Sequence, residues 1–331
     1  MKALLSTHPG GPDGLKLSTV ATPVAGRGEL CVRVLACAIN YPDVLLLEDR
    51  YQAKPPRPFA PGTEIAAVVE TVGADVADWE PGQRLIAMIG YGGLAEKAVL
   101  RADQAFHLPA ELDPTEGSAL LMTYATAIHG LVDRGALQPG DRLLVLGGAG
   151  GVGLAATEVG KALGATVVSA VSDAAKAEAA REAGADDVLI YPADPADPRA
   201  LMAAFKAAGA ERGFDVVLDP VGGAYSEPAL RALAWGGRFL TVGFPAGIPS
   251  IPLNYILFKS CDVRGVFWGE FAKREPDRNR AHVERLLGWW MEGRIRPRIA
   301  RRWPLSEGAE AIRWLASRQA IGKAVVEIAS A

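Results

Sequence analysis

The stretch from Asp141 to Ala165, DRLLVLGGAGGVGLAATEVGKALGA, constrains this chain more than any other. A short apolar run, Leu143 to Leu146, meets a loop carrying Gly147, Gly148, Gly150, Gly151 and Gly153. The loop opens into a helical pattern that puts Val152, Ala155, Ala156, Val159 and Leu163 on one face. A second strand-like run, Thr166 to Val171, follows and completes a βαβ length. Glycines at such a turn let backbone approach a pyrophosphate closely, and the unpaired N–H groups of the helix start carry partial positive charge. The unit predicts a dinucleotide site.

The end of the second strand indicates which dinucleotide. An NAD site usually places Asp or Glu there, about 20 residues past the glycines, to hold the ribose 2′-hydroxyl. This strand ends Ala170-Val171-Ser172, followed by Asp173 and Lys176. A hydroxyl and a cation suit a 2′-phosphate, which a carboxylate would repel. Asp173 sits two residues beyond the expected position and reads as the cap of a helix over Ala174 to Ala183. NADPH is therefore expected over NADH.

Bulk properties agree with a soluble enzyme. A chain of 331 residues, half of them hydrophobic, has room for two domains with sizeable cores. Its net charge of -3 gives no general footprint for nucleic acid. No run approaches the length of a membrane span, and the start, Met1 to Pro9, is too brief for a signal peptide. Three widely spaced cysteines, Cys31, Cys37 and Cys261, fit a reducing cytoplasm and ordinary packing better than a disulfide framework. A cytoplasmic location is the expectation.

The pattern changes near residue 120. Before it, period-two segments dominate (Leu30 to Cys37, Glu64 to Val72, Arg84 to Met88, Ala95 to Leu100), separated by Pro- and Gly-rich connections. Asp113-Pro-Thr-Glu116 has the form of a helix start, continuing to about Leu131. Strands and helices then alternate, with strands at Leu143–Leu146, Thr166–Val171, Val188–Ile190, Val216–Leu218, Arg238–Val242 and Val263–Val266. The expected class is α/β, a doubly wound parallel sheet plus a β-barrel-type domain. The expected divisions are 1–120, 121–267 for the nucleotide domain, and 268–331 returning to complete the first domain. That last part reads as helices at Arg280–Glu292 and Ser306–Ala316, then a strand from Ala324 to Ile328.

Several segments together resemble one family. Asn40-Tyr-Pro-Asp43, Pro58 to Glu64, Gly147 to Gly153, Asp215 to Gly223, Val242-Gly-Phe244 and Gly322-Lys323 are similar, in collinear order, to the medium-chain dehydrogenase/reductase superfamily. Gly265-Val-Phe-Trp-Gly269 is similar to a segment of its zinc-free quinone oxidoreductase branch, the zeta-crystallin-like proteins. The resemblance implies a GroES-like first domain, a Rossmann second domain and NADPH as cofactor. Zinc alcohol dehydrogenases of the superfamily place a Cys three residues before the Asp, and a His before the Glu. Here those positions are Asn40 and Thr63, neither a good zinc ligand, so no metal is expected.

By the same resemblance, Asn40, Tyr41, Asp43, Thr126 and His129 fall on the nicotinamide side. Gly150, Gly151 and Val152 meet the pyrophosphate, and Ser172, Lys176 and Tyr191 surround the 2′-phosphate. Val242, Gly243, Phe244, Phe267 and Trp268 line the nicotinamide pocket, and Arg318 closes the site from the C-terminal end. Tyr41, Tyr51 and Tyr91, in first-domain loops, could stack on a quinone and donate to its oxygen. No catalytic acid or base is evident. Hydride transfer from NADPH to a quinone or activated enone is the leading expectation. The alternatives are a 2-enoyl thioester reductase of the acryloyl-CoA type, for which Arg50, Lys54 and Arg57 could hold CoA phosphates, and a non-catalytic NADPH- or RNA-binding protein. The acidic balance argues against RNA, and no membrane partner is expected. A homodimer is expected through the strand near Val263–Val266 as an open edge.

Overall fold

The structure is a computed structural model that describes residues 1–191, 197–317 and 319–329. Fifteen strands run along the described residues. The first seven are β1 (Lys2–Ser6), β2 (Leu15–Thr19), β3 (Glu29–Ile39), β4 (Glu64–Val72), β5 (Arg84–Met88), β6 (Lys97–Arg101) and β7 (Ala105–His107). Six alternate with helices: β8 (Arg142–Leu146), β9 (Thr166–Val171), β10 (Asp187–Ile190), β11 (Phe214–Asp219), β12 (Leu233–Thr241) and β13 (Asp262–Gly265). The last two are β14 (Ile299–Pro304) and β15 (Lys323–Glu327).

Contacts divide the chain into two units, Met1–Met122 with Pro297–Ala331, and Thr123–Arg296. In the first unit a mixed sheet runs β14-β15-β3-β4-β5-β7, with β6 also on β3 and β1-β2 forming a separate hairpin. Val32, Val34, Ile65, Leu85 and Leu94 are buried in its core, together with Trp303 and Val326 from the returning chain. The C-terminal strand is thus part of this sheet, antiparallel to β3.

The second unit is a parallel six-stranded sheet of order β10-β9-β8-β11-β12-β13. The order reverses between β8 and β11, and ligands of open α/β sheets bind outside the carboxyl ends at such a point. β8 and β11 are buried on both faces, which is why they read as continuous apolar runs.

Two expectations are corrected. The return to the first unit begins at Pro297, not at 268; residues 268–296 cluster with the second unit. The reason lies in side chains of the helix Pro276–Met291: Trp268 Nε1 donates to Asn279 Oδ1 at 2.7 Å, and His282 reaches Asp133 at 2.9 Å. The helix begun by Asp113 is also not continuous. Asp113 caps Thr115 and Glu116 as expected, but the helix stops at Gly117. Leu121–Ala125 and His129–Arg134 are then wound as π-helix.

Candidate functional site

In the second unit, candidate residues gather at the carboxyl ends of the strands. β8 runs into the glycine turn, where Gly147 has a φ of 60°. A side chain at Gly147 would meet Val221 at 2.8 Å, and one at Gly153 would lie 2.1 Å from the Gly147 carbonyl. These two glycines are required by the turn itself. The helix Gly151–Ala162 starts at Gly150 with no side chain capping it. Its first N–H groups, at Gly151 and Val152, are therefore available to an anion. The turn after β11 is fixed by Asp219, whose Oδ1 accepts the Val221 and Gly222 N–H groups at 2.8 Å each and whose Oδ2 accepts the Ser226 hydroxyl at 2.5 Å. Burial raises the Asp219 carboxyl above the usual range in spite of those bonds.

At the end of β9, Lys176 Nζ donates to Ser172 Oγ at 2.8 Å and stands 3.3 Å from Asp173 Oδ2. Asp173 accepts the Lys176 N–H at 2.9 Å, so it is the cap of the helix Ala174–Glu182, as its position implied. That bond comes first among the causes that hold its carboxyl below the usual range. Ser172, Asp173 and Lys176 thus form one hydrogen-bonded corner, in which Ser172 Oγ also donates to Asp173 Oδ2 at 3.0 Å. Farther along the same sheet edge, Phe244 and Phe267 are exposed and Val242 and Gly243 half-buried.

Four second-unit assignments are corrected or narrowed. Tyr191 is buried between Phe205 and Tyr225, and its hydroxyl takes the Gly147 N–H, so it braces the glycine turn from below. Burial drives its phenol well above the usual range. Trp268 is buried with its indole N–H on Asn279, leaving Phe267 alone to face outward. His129 is also interior: its ring stacks on Phe271 at 4.0 Å and its Nδ1 meets Asp133 at 2.7 Å. Thr126 is buried beside it in the chain. Arg318 lies outside the described residues.

In the first unit, Asn40 and Asp43 are consumed by structure. Asp43 is fully buried; its Oδ2 accepts the Asn40 N–H at 2.7 Å and its Oδ1 the Gly62 N–H at 3.1 Å. Burial nevertheless pushes its carboxyl up to about 6. Asn40 Nδ2 donates to Glu64 Oε2 at 2.9 Å, and its Oδ1 accepts the buried Lys323 ammonium. Thr63 Oγ1 leans on Asp43 Oδ2 at 3.4 Å. The two positions that hold metal ligands in the zinc branch are therefore tied into a buried polar network closed by Lys323. Among the described residues, no group of three or more His, Cys, Asp or Glu is arranged to hold a metal ion.

Of the three tyrosines, Tyr41 and Tyr91 are exposed, and Tyr51 is half-buried against the core. Arg57, expected in a CoA-phosphate cluster, is spent on Asp49 at 2.8 Å, the Leu47 carbonyl at 3.1 Å and Ser6 at 3.2 Å. Arg50 pairs with Glu48 at 2.9 Å, which leaves Lys54 alone of that cluster. A recess of about 650 Å³ lined by Arg199, Met202, Glu227, Arg231, Ile248 and Pro249 shares no residue with the glycine turn or the Ser172–Lys176 corner. No helix among the described residues is long and apolar enough to cross a membrane.

Sequence reasoning missed the roles of Asp133 and Glu158, which lie in the helical segments flanking the turn. The His129–Asp133 spacing of four was a local signal for one contact of Asp133, but His282 and the Arg296 N–H reach Asp133 and Glu158 from 149 and 138 residues away.

Comparison with known proteins agrees with this geometry. Residues 26–110 match the alcohol dehydrogenase GroES-like domain, and residues 151–284 match the zinc-binding dehydrogenase family. A quinone oxidoreductase-like protein 2 homolog of Nematostella vectensis is 34% identical over 92% of this chain and 83% of its own length. A probable oxidoreductase from Mycobacterium abscessus superposes with a TM-score of 0.88 at 34% identity, covering 99% of this chain and 98% of its own. A mycobacterial protein solved in complex with NADPH superposes with a TM-score of 0.90 at 27% identity, covering 99% of both chains. With similarity of that extent along its whole length, the chain belongs to the quinone oxidoreductase-like branch of the medium-chain dehydrogenase/reductase superfamily.

Proposed function

We propose that this oxidoreductase transfers hydride from NADPH to a quinone or a related activated enone. The observation that carries the reading is the fate of Asn40 and Thr63. Amide and hydroxyl are poor zinc ligands, and here both side chains are committed to Glu64, Lys323 and Asp43. An acceptor handled without a Lewis acid must tolerate hydride with little help, as quinones and enones do, because the charge spreads onto a carbonyl oxygen.

The residues fit the cofactor. The N–H groups of Gly151 and Val152 suit the pyrophosphate, with Gly150 permitting close approach, and Ser172 with Lys176 suits the 2′-phosphate. Val242, Gly243, Phe244 and Phe267 form the apolar border for the ring, and Arg318 remains assigned to the C-terminal side. NADPH, when bound, supplies the hydride at its nicotinamide ring. Among first-unit groups, Tyr41, Tyr51 and Tyr91 are the candidates to stack on the acceptor or donate to its oxygen. Apart from these tyrosines, no dedicated acid is assigned among the described residues, and water is the proposed source of the proton that completes the reduced product.

The name of the Nematostella vectensis relative and the NADPH bound by the mycobacterial neighbour support this assignment. Steady-state assays with 1,2- and 1,4-quinones, run beside crotonyl- and acryloyl-CoA, test it. NADPH-dependent turnover of quinones is expected. Turnover of the CoA thioesters alone would move the chain to enoyl reduction, and turnover of neither would leave a nucleotide-binding protein.

A further inference from the structure

The chain passes from one unit to the other twice, between Met122 and Thr123 and between Arg296 and Pro297. Within the second unit, both passages are fastened to one carboxylate. Glu158, in the helix Gly151–Ala162, accepts the Tyr124 hydroxyl at 2.7 Å and the Arg296 N–H at 2.8 Å, both on Oε2. Tyr124 stands two residues past the first passage, and Arg296 is the last residue before the second. Among the described residues of that unit, no other carboxylate is recorded on both Tyr124 and Arg296. The first unit fastens the same passages separately: Glu64 Oε1 accepts the Met122 N–H at 3.0 Å, and the Lys323 N–H donates to the Arg298 carbonyl at 2.9 Å.

We propose that Glu158 is a positioning residue, a latch shared by both passages, so that the two segments loosen and tighten together on the helix that begins at the glycine turn. The proposal is independent of the acceptor chemistry. A neutral amide could accept the same two bonds, so the choice of a carboxylate has a further consequence. Burial pushes Glu158 up to about 7, although the Arg296 N–H and the Tyr124 hydroxyl both pull it down. Few other groups face it. Lys161, one turn on, is paired with Asp186 at 2.7 Å. Arg294 is held by the Ala162 carbonyl at 2.6 Å and stacks over Trp289. The turn Thr126–Ile128 packed on this helix presents a hydroxyl and apolar groups. Because the latched form holds its proton more tightly than a hydrated form would, its stabilisation is fully present below the ordinary Glu value of 4.5, falls progressively as pH rises toward about 7, and is gone above it.

Hydrogen exchange read by mass spectrometry on the full chain, from pH 5 to 8 and corrected for intrinsic rates, tests the latch. In the wild type, peptides covering 121–126 and 294–298 should both exchange faster as pH rises from 5 to 7, by up to about tenfold per pH unit, and level off above that. In Glu158→Gln, which keeps an acceptor oxygen, both should lose that slope. In Tyr124→Phe, the 121–126 peptide should loosen while 294–298 keeps its slope. A flat wild-type profile, an unchanged slope in Glu158→Gln, or wild-type segments that respond to pH separately would overturn the proposal. Should Glu158→Gln fail to fold, Tyr124→Phe decides: an unaltered 121–126 peptide rejects the latch.

Discussion

Asp133 shows how much one side chain can organise. Its carboxylate meets His129 Nδ1 at 2.7 Å and His282 Nε2 at 2.9 Å, and it accepts the Arg278 guanidinium. Against the cost of burial, these partners hold it well below the usual carboxylate range. Its stabilisation is therefore present above about pH 4 and is lost as pH falls below the ordinary Asp value. Asp133→Asn should destabilise the protein at neutral pH by about 1–3 kcal/mol, the cost of leaving a buried donor unsatisfied, since Arg278 is half exposed. In urea titrations the gap from wild type should shrink below pH 4; a gap that does not change with pH would refute the assignment. Lys176 acts instead on a ligand. A hydrogen bond to a charged group contributes about 1.5–3 kcal/mol, or roughly ten- to a hundredfold in affinity. Lys176→Ala should weaken NADPH binding by about that factor and leave NADH nearly unaffected, as calorimetric titration would read. Equal losses for both nucleotides would misplace the 2′-phosphate corner. The contact of Lys176 with Ser172 was legible because both lie in the same short segment. The fates of Asn40 and Tyr191 were not, because Lys323 and Tyr225 reach them from distant parts of the chain.

At the scale of elements, the parallel strands of the second unit were legible from apolar runs separated by glycines, and their order places the glycine turn where the sheet reverses. What escaped was allegiance. The helix Pro276–Met291 has an ordinary amphipathic pattern that fits either unit, and the bonds of Arg278 and His282 to Asp133 tie it to the second. The helix after Asp113 was overextended because periodicity does not distinguish α from π winding: Gly135 N–H bonds the Gly130 carbonyl at 2.7 Å, a five-residue step. The glycine turn supplies the test at this scale. A Cβ at Gly153 would meet backbone atoms of Gly147 and Gly148 at 2.1 and 2.8 Å, which no side-chain movement relieves. Gly153→Ala should therefore open the turn, abolish binding of NADPH and NADH alike, and cost about 1–3 kcal/mol of stability, as overpacking does. Unaltered affinity for either nucleotide, with the circular dichroism of the wild type, would show that the turn is not the pyrophosphate cradle.

At the scale of the whole molecule, the parallel sheet ends in a strand with one partner. Among the described residues β13 pairs with β12 alone, so its outer edge carries unpaired backbone groups. The surface beside it is apolar in a way that solvent-facing helices rarely are. Leu253, just before the helix Asn254–Lys259, and Leu257 and Phe258 within it are 76%, 75% and 66% exposed, and Val263 on the strand is 41% exposed. Soluble proteins blunt or cover such edges, and contiguous exposed apolar surface marks an interaction site. A two-fold axis through β13 would pair the edge with itself and bury the flanking side chains of both copies in one isologous contact. The expected wild-type species at micromolar concentration is therefore a dimer. Val263→Lys places a charge on the edge, and Leu257→Glu places one on the helix beside it; each should shift light-scattering mass toward the monomer without changing nucleotide affinity, since neither residue lies among those assigned to the nucleotide. A wild-type protein that scatters as a monomer would reject the edge as an interface. A dimer that survives both substitutions would place the contact on another surface.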